Sequence, residues 1–413
     1  MDGGERMLAD LLTASHLTSL KQVPDVVAGH AAAVGLHDMR IYMVDLQQGV
    51  LRLLTGRETD REIAEGAAEG AVPDIRVDGT LAGRAFQSVV PVRGGDAADG
   101  LCHWWLPLLD GAERLGVVRL TMADDAAALR LAESLAALTA LMIVSKGPSS
   151  DSLARLVRTR HMTVSAEMQW RLLPPMTFAN NEMVIAAALE PAYKLGGDTF
   201  DYGLYGEIVH LGVFDAMGHD TAAGLTSNLA VAAYRNNRVE GGDLLENGRA
   251  IEEALVEQDS SGRFVTAVLA SLHLSTGMLA WASYGHPPPI VIRGGRWVTT
   301  LECAPGVPLG TGLDLPPRVC EEQLQPGDRV ILYTDGVVEA RDPSKREFGI
   351  ARFVDFIVRH DAAGLPVPET LRRLIRGILE HHAGRLDDDA TVLLLEWYGP
   401  SGGERAAKRL TGL

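Results

Sequence analysis

The chain has 413 residues, 46% of them hydrophobic and 22% charged, with a formal net charge of −16. That length exceeds a usual single core, so two domains are expected, and the composition is that of a folded globular protein, not a disordered one. The acidic balance argues against nucleic acid and against an anionic membrane surface, both of which attract basic faces.

In chain order, Leu8, Leu11 and Leu12 share one face of a helix expected over 7–17, and a second helix is expected over 23–34. Strands follow at 39–45 and 49–55, then at 102–108 and 116–121 across a turn at 109–112. A long helix over 125–146 closes this domain, with Leu131, Leu135, Leu138 and Met142 on one face. Its most apolar stretch, 135–144, reads as too short and too interrupted to span a bilayer, so no membrane anchor is expected. The break Gly147-Pro148-Ser149-Ser150-Asp151 is followed by a linker helix over 152–173, stopped by Pro174-Pro175. Its Leu153, Val157, Val164, Met168 and Leu172 fit either packing on its own domain or a homodimer coil.

Beyond residue 180 short strands alternate with turns: 183–189, 206–214, 265–274, 277–283, 290–293, 329–333 and 391–397. Helices are expected at 221–235, 244–256, 350–359 and 368–381. Many strands with a few long helices, not regularly alternating, indicate an α+β fold.

Aspartates recur at turns of this second half: Gly-Gly-Asp at 196–198, Phe-Asp-Ala-Met-Gly-His at 214–219, Tyr-Thr-Asp-Gly-Val at 333–337 and Asp-Asp-Asp-Ala-Thr at 387–391. Each alone reads more simply as a turn residue. As a set, carboxylates at strand ends suit hard cations, which take oxygen ligands. Several carboxylates close together do not all ionise without positive charge, and two metal ions supply it while readying a water to attack a phosphoryl group. This route needs no side-chain nucleophile, and the chain has no GxSxG elbow, Walker lysine loop, HExxH or kinase signature. Cys102, Cys303 and Cys320, odd in number and without CxxC spacing, read as packing residues of a reduced, cytoplasmic protein. His219 is placed either to protonate a leaving oxygen or only to hydrogen-bond its turn. Asp220 reads as a helix N-cap, Asp201 as a turn or metal-neighbouring residue, and His286 as a loop stiffener among prolines.

The ordered motifs Leu195 to Asp201, Phe214 to His219, Phe264-Val265-Thr266-Ala267, Tyr284-Gly285-His286-Pro287, Pro308-Leu309-Gly310, Leu324 to Asp328, Leu332 to Ala340 and Asp388-Asp389-Ala390-Thr391 resemble the metal-dependent serine/threonine phosphatases of the SpoIIE/RsbU type. The resemblance implies a two-sheet β-sandwich flanked by helices (αββα) over 180–398. It also implies two Mg²⁺ or Mn²⁺ ions held by Asp198, Asp215, Asp335 and Asp388 with the Ala216 carbonyl, Asp389 being adjacent; Asp215 and His219 are the candidate catalytic residues. The implied substrate is phosphoserine or phosphothreonine on a regulatory protein, an anti-sigma-factor antagonist. The alternatives are a degenerate phosphatase fold serving as a binding module in partner switching, or a small-molecule phosphohydrolase. Asp220 and Thr199 depart from the usual glycine and aromatic of the pattern. Ile41 to Leu46, Gly79 to Phe86, and Trp104 to Leu108 with Leu115-Gly116-Val117 resemble a GAF sensory domain over 1–146, which implies a small-molecule ligand and regulation of the phosphatase through the linker 147–179. Residues 399–413 read as a flexible tail.

Overall fold

The computed structural model describes residues 3–55, 73–194, 196–218, 220–258, 262–313, 315–341, 344–362, 365–382, 386 and 388–402. Leu195, His219 and most of the expected tail, 403–413, lie outside the described residues. The chain divides after His161 into two compact units.

In the first unit, strands β1 (His37–Val44), β2 (Val50–Leu53), β3 (Ile75–Arg76), β4 (Val92–Asp96), β5 (Leu101–Asp110) and β6 (Glu113–Ala123) form one antiparallel sheet. Their order is β3-β2-β1-β6-β5-β4. Alternation sends Leu106, Leu108, Val118 and Leu120 to one face, where the helices Gly3–Ser15, Val23–Ala32 and Ala126–Lys146 bury Leu11, Val27, Leu135 and Ile143 against them. The other face packs Tyr42, Leu51 and Val117 under the helix Leu81–Ser88, through its Ala85 and Phe86. That short helix was not among those expected; Thr80 caps it, accepting from the Gly83 N–H. Trp104 packs into the first core and Trp105 into the second, so strand alternation accounts for both rings.

Two expectations need correction here. The segment Ala126–Ser149 is, by length and composition, apolar enough to cross a membrane, with a mean hydropathy of 1.7. Its stripe Ala132, Leu135, Ala136, Ala140 and Ile143 is buried against the sheet, as a core helix requires. The helix expected over 152–173 is two helices, Asp151–Val157 in the first unit and Val164–Leu172 in the second. Arg158 turns extended, and the Thr163 hydroxyl caps the second helix by accepting from the Ala166 N–H. A β-branched residue with a capping oxygen prefers that role to a helix interior. A coiled coil over this stretch would need the continuous helix that the chain does not form.

The second unit is a sandwich. Strands β7 (Thr177–Ala179), β8 (Met183–Glu190), β13 (Ile290–Arg293), β14 (Trp297–Thr300), β16 (Arg329–Tyr333) and β17 (Ala390–Trp397) form a sheet ordered β14-β13-β16-β17-β8-β7. Strands β9 (Asp198–Tyr205), β10 (Ile208–Ala216), β11 (Val265–His273), β12 (Met278–Tyr284) and β15 (Cys320–Gln323) form the other, ordered β15-β12-β11-β10-β9. Phe200, Val213, Val268, Trp281, Leu332 and Leu393 fill the space between the sheets. Outside the five-stranded sheet, Phe214, Ala267 and Leu269 are covered by the helices Thr221–Val239 and Leu244–Gln258 through Tyr234 and Ile251. Outside the six-stranded sheet, the helix Val367–His381 lies along β8. Two sheets with helices on both outer faces agree with the αββα arrangement expected.

A third correction concerns the cysteines: Cys303 and Cys320 are joined in a disulfide, and only Cys102 is a buried free thiol. Nothing in their spacing announced the pairing, because the loop that brings them together is not a regular element.

Candidate active site at one end of the sandwich

Each site aspartate is delivered by a strand end. Asp198 opens β9 and lies opposite Asp215 of β10 in antiparallel register. Asp335 directly follows β16, starting the one-turn helix Asp335–Val338, where the sequence suggested only a turn. Asp388 and Asp389 precede β17, whose start pairs with the end of β16. The antiparallel order puts the end of one strand beside the start of the next, so residues up to 193 apart in sequence gather at one end of the fold.

Asp198 is 3% exposed and ties the two sheets together. Its Oδ2 accepts from the Thr334 hydroxyl at 2.6 Å and from the Thr391 hydroxyl at 3.0 Å, both on the opposite sheet. The Thr334 hydroxyl also accepts from the Thr391 N–H at 2.9 Å. Asp389 accepts from the Gly196 N–H at 2.6 Å and from the Asp198 N–H at 3.4 Å. It therefore shapes the loop that carries Asp198. Asp388 is exposed, and its Oδ1 accepts from the Asp389 N–H at 2.9 Å.

Two glycines are required by close approach. A Cβ on Gly197 would stand 2.1 Å from the Ala216 carbonyl oxygen, and one on Gly336 would stand 1.9 Å from that of Asp389. The Ala216 N–H donates to the Gly197 carbonyl at 3.1 Å, which holds the ends of β9 and β10 together.

The electrostatics are those of an acidic cluster. Burial, then the charges of Asp335, Asp388 and Asp389, push Asp215 up to about 7 against a hydrogen bond from Thr266. Burial and the charges of Asp215 and Asp389 push Asp198 well above the usual carboxylate range, against its two threonine hydroxyls. Burial raises Asp389 to about 6, opposed by backbone N–H groups of Gly196 and Asp198. Asp335 is raised by burial and by Asp388. The charges that raise Asp215 most are all those of carboxylates.

Behind the carboxylates stands a neutral layer. The Thr266 hydroxyl lies 2.9 Å from His286 Nδ1, and His286 Nε2 lies 3.1 Å from the Tyr333 carbonyl oxygen. A carbonyl only accepts, so Nε2 carries the proton and Nδ1 is left an acceptor, which shares the single proton of the Thr266 hydroxyl with the Asp215 carboxylate. Burial lowers His286 to about 4, keeping the ring neutral. It thus stiffens its loop, as the sequence suggested, and also connects β16 to the strand beside Asp215. Gln169, wholly buried on the helix Val164–Leu172, donates from Nε2 to the carbonyls of Gly196 and Asp198, both at 3.0 Å, and to Ser227 at 3.2 Å. Arg263 holds the turn after β10, donating to the Met217 carbonyl and to Asp220, both at 2.9 Å. Asp220 also caps the helix Thr221–Val239 through the Ala223 N–H, the role expected of it.

Asp201 corrects another expectation. It is fully buried in β9, not at a turn, and is paired with Arg235 at 2.5 Å and Arg238 at 2.8 Å. Its partners make it part of the scaffold. Sequence reading missed Thr266, Thr334, Thr391 and Gln169. The three threonines each stand within a motif already singled out, so their hydroxyls were visible there; the reach of Gln169 to the Asp198 loop was not.

Among the described residues, no three Asp, Glu, His or Cys side chains already stand as a ready metal-binding group. The donor chemistry still fits a hard divalent cation. Asp198, Asp215, Asp335 and Asp388 offer oxygen alone, and Asp215, Asp335 and Asp388 repel one another in a way that a cation would relieve. A family model described as Stage II sporulation protein E (SpoIIE) matches residues 206–398, which carry Asp215, Asp335, Asp388 and Asp389.

Over residues 206–398 the chain is similar to the SpoIIE family, and it is a protein serine/threonine phosphatase.

Relatives each match a little over half of the chain. Phosphoserine phosphatase RsbU of Bacillus subtilis is 23% identical over 239 residues, 56% of this chain and 68% of that protein. Protein IcfG of Synechocystis is 22% identical over 259 residues, 55% of this chain but 40% of its own length. Among solved structures, the SiaA-PP2C domain of Pseudomonas aeruginosa is 23% identical, covering 62% of this chain and 99% of that one, with a TM-score of 0.49. In the phosphatase domain, β10 and β16 with their following turns are the elements that bring Asp215 and Asp335 to the site.

Proposed function

We propose that this chain removes phosphate from phosphoserine or phosphothreonine of a small regulatory protein, an anti-sigma-factor antagonist, using two Mg²⁺ or Mn²⁺ ions, in the cytoplasm. Asp198, Asp215, Asp335, Asp388 and the Ala216 carbonyl would hold the ions. When bound, such ions lower the pKa of a water and neutralise charge on the phosphoryl group. The observation that carries this reading is Asp198, buried and hydrogen-bonded across to the opposite sheet, beside Asp215, which the charges of three further carboxylates raise.

The protein's own groups have separable tasks. Thr334 and Thr391 fix which Asp198 oxygen stays free, because both donate to Oδ2. Asp389 holds the Gly196–Asp198 backbone. Thr266 joins Asp215 to a neutral histidine, so the group behind that carboxylate carries no charge of its own. His219 is assigned the proton delivered to the leaving oxygen. A phosphoserine substrate is supported by similarity to a protein named phosphoserine phosphatase RsbU. The first unit, by its resemblance to GAF domains, is assigned the sensing of a small molecule that shifts the phosphatase between active and inactive populations.

The test is turnover by the purified chain with Mn²⁺ and a phosphoserine protein. Asp215→Asn and Asp335→Asn should each abolish it while leaving the fold intact by circular dichroism. Full activity in either variant would refute the ligand assignment. Release of phosphate from small esters alone, with no phosphoprotein turned over, would refute the substrate class.

A further inference from the structure

The loop 303–320 is closed on itself by the disulfide and runs from the free edges of both sheets to the candidate site. Cys303 follows β14, the outermost strand of the six-stranded sheet, and Cys320 opens β15, the outermost strand of the five-stranded one. Their bond, with Cα atoms 6.1 Å apart, therefore staples the two sheets at their open edge. Between them the loop reaches the other end of β11 and β12. The Gly306 N–H donates to the Ser283 carbonyl at 2.8 Å, and Leu309 and Val265 exchange N–H···O bonds of 2.8 Å. The N–H groups of Gly310 and Gly312 donate to Glu252. Val265 lies opposite Ala216, and Thr266 opposite Asp215. The loop thus braces the strand that backs two of the site residues. Both cysteines are half-buried, and Cys320 lines an open cleft of about 500 Å³ with Trp281, Leu301, Glu302 and Arg318.

We propose that Cys303–Cys320 is a thiol–disulfide exchange site, opened by a dithiol reductant, that sets the order of the 303–320 loop against β11. Where thiols are kept reduced, a protein disulfide is usually transient, catalytic or redox-sensing. The reductant's thiolate attacks Cys320 Sγ from the cleft, forming a mixed disulfide and releasing Cys303 as a thiolate that takes up a proton. Cys303 Sγ lies 3.4 Å from the Arg318 carbonyl oxygen, an acceptor for the freed thiol. The second thiol of the reductant then displaces Cys320, so the dithiol gives two electrons and two protons and leaves as its own disulfide. Opening the cross-link restores freedom to the loop and loosens its bonds to Val265 and Ser283. An effect on catalysis rests on the phosphatase reading above.

The experiment treats the full chain with dithiothreitol, then follows alkylation by mass spectrometry and amide hydrogen exchange at Gly306, Leu309 and Val265. Cys303 and Cys320 should become alkylated together, and exchange at the three amides should rise about tenfold. C303S/C320S should exchange fast with or without reductant. Cysteines that alkylate without reductant, or exchange unchanged on reduction, would overturn the proposal. Phosphatase turnover in the same samples should fall about fivefold on reduction and recover on reoxidation. A loosened loop with undiminished turnover overturns the link to catalysis. A loop that responds while neither state turns over phosphoprotein supports the exchange site and counts against the phosphatase reading instead.

Discussion

At the scale of single residues, Asp215 shows what the site lacks without a cation. Its folded pKa of about 7 is far above that of an exposed aspartate, and Asp389 at about 6 follows it. The folded state therefore binds more protons than the unfolded chain between roughly pH 4 and pH 7, so stability falls as pH rises through that window. The metal-free protein should melt at a lower temperature at pH 8 than at pH 5.5, and Asp215→Asn should reduce the difference. An equal melting temperature at both values would contradict the assignment of buried, mutually repelling carboxylates. Gln169 acts from behind the same loop. Gln169→Leu leaves two carbonyls of that loop without their donor, at a cost of about 1–3 kcal/mol for each buried group. If that loss falls on the ordered loop, Mn²⁺ affinity should drop about tenfold or more by calorimetry, since 1.4 kcal/mol is a factor of ten. Unchanged affinity would reduce Gln169 to a packing role.

At the scale of elements, the site depends on how closely strand ends approach. Gly336 begins the turn after β16 against the Asp389 carbonyl, where a methyl group has no room. Gly336→Ala should separate Asp335 from Asp389 and remove turnover even if the fold survives; near-normal turnover would show that the two turns can move apart freely. Much of this architecture was legible in the chain. β10 and β16 are apolar β-branched runs leading to an aspartate; β16 has the bounds the periodicity put on it, while β10 lies two residues later than expected and runs through Asp215 to Ala216. The strand Asp198–Tyr205 was not legible, because Asp201 interrupts it with a charge that the fold neutralises using Arg235 and Arg238 from a helix more than 30 residues away. The edge strands β14 and β15 were missed for a different reason. They are short and polar, and they exist because a neighbouring strand offers hydrogen bonds. The helix break at 158–163 depends on caps, which outweighed a plausible heptad rhythm.

At the scale of the whole molecule, two units with separate cores should answer differently to metal. A ligand that binds only one folded unit stabilises that unit by about 2.7 kcal/mol at a hundred times its dissociation constant. Calorimetry with Mn²⁺ should move the transition of the unit beginning at Met162 and leave the transition of the first unit in place. A shift confined to the first transition would place the cation elsewhere. The hydroxyls of Thr334 and Thr391 add a consequence for folding. They belong to one sheet, while the carboxylate they grip belongs to the other, 136 and 193 residues away along the chain. No half-formed intermediate with a single sheet can possess this pocket, so competence for chemistry arrives only with the final docking of the two layers. During refolding, recovery of cation binding should coincide with burial of Trp281 between the layers, and never precede it.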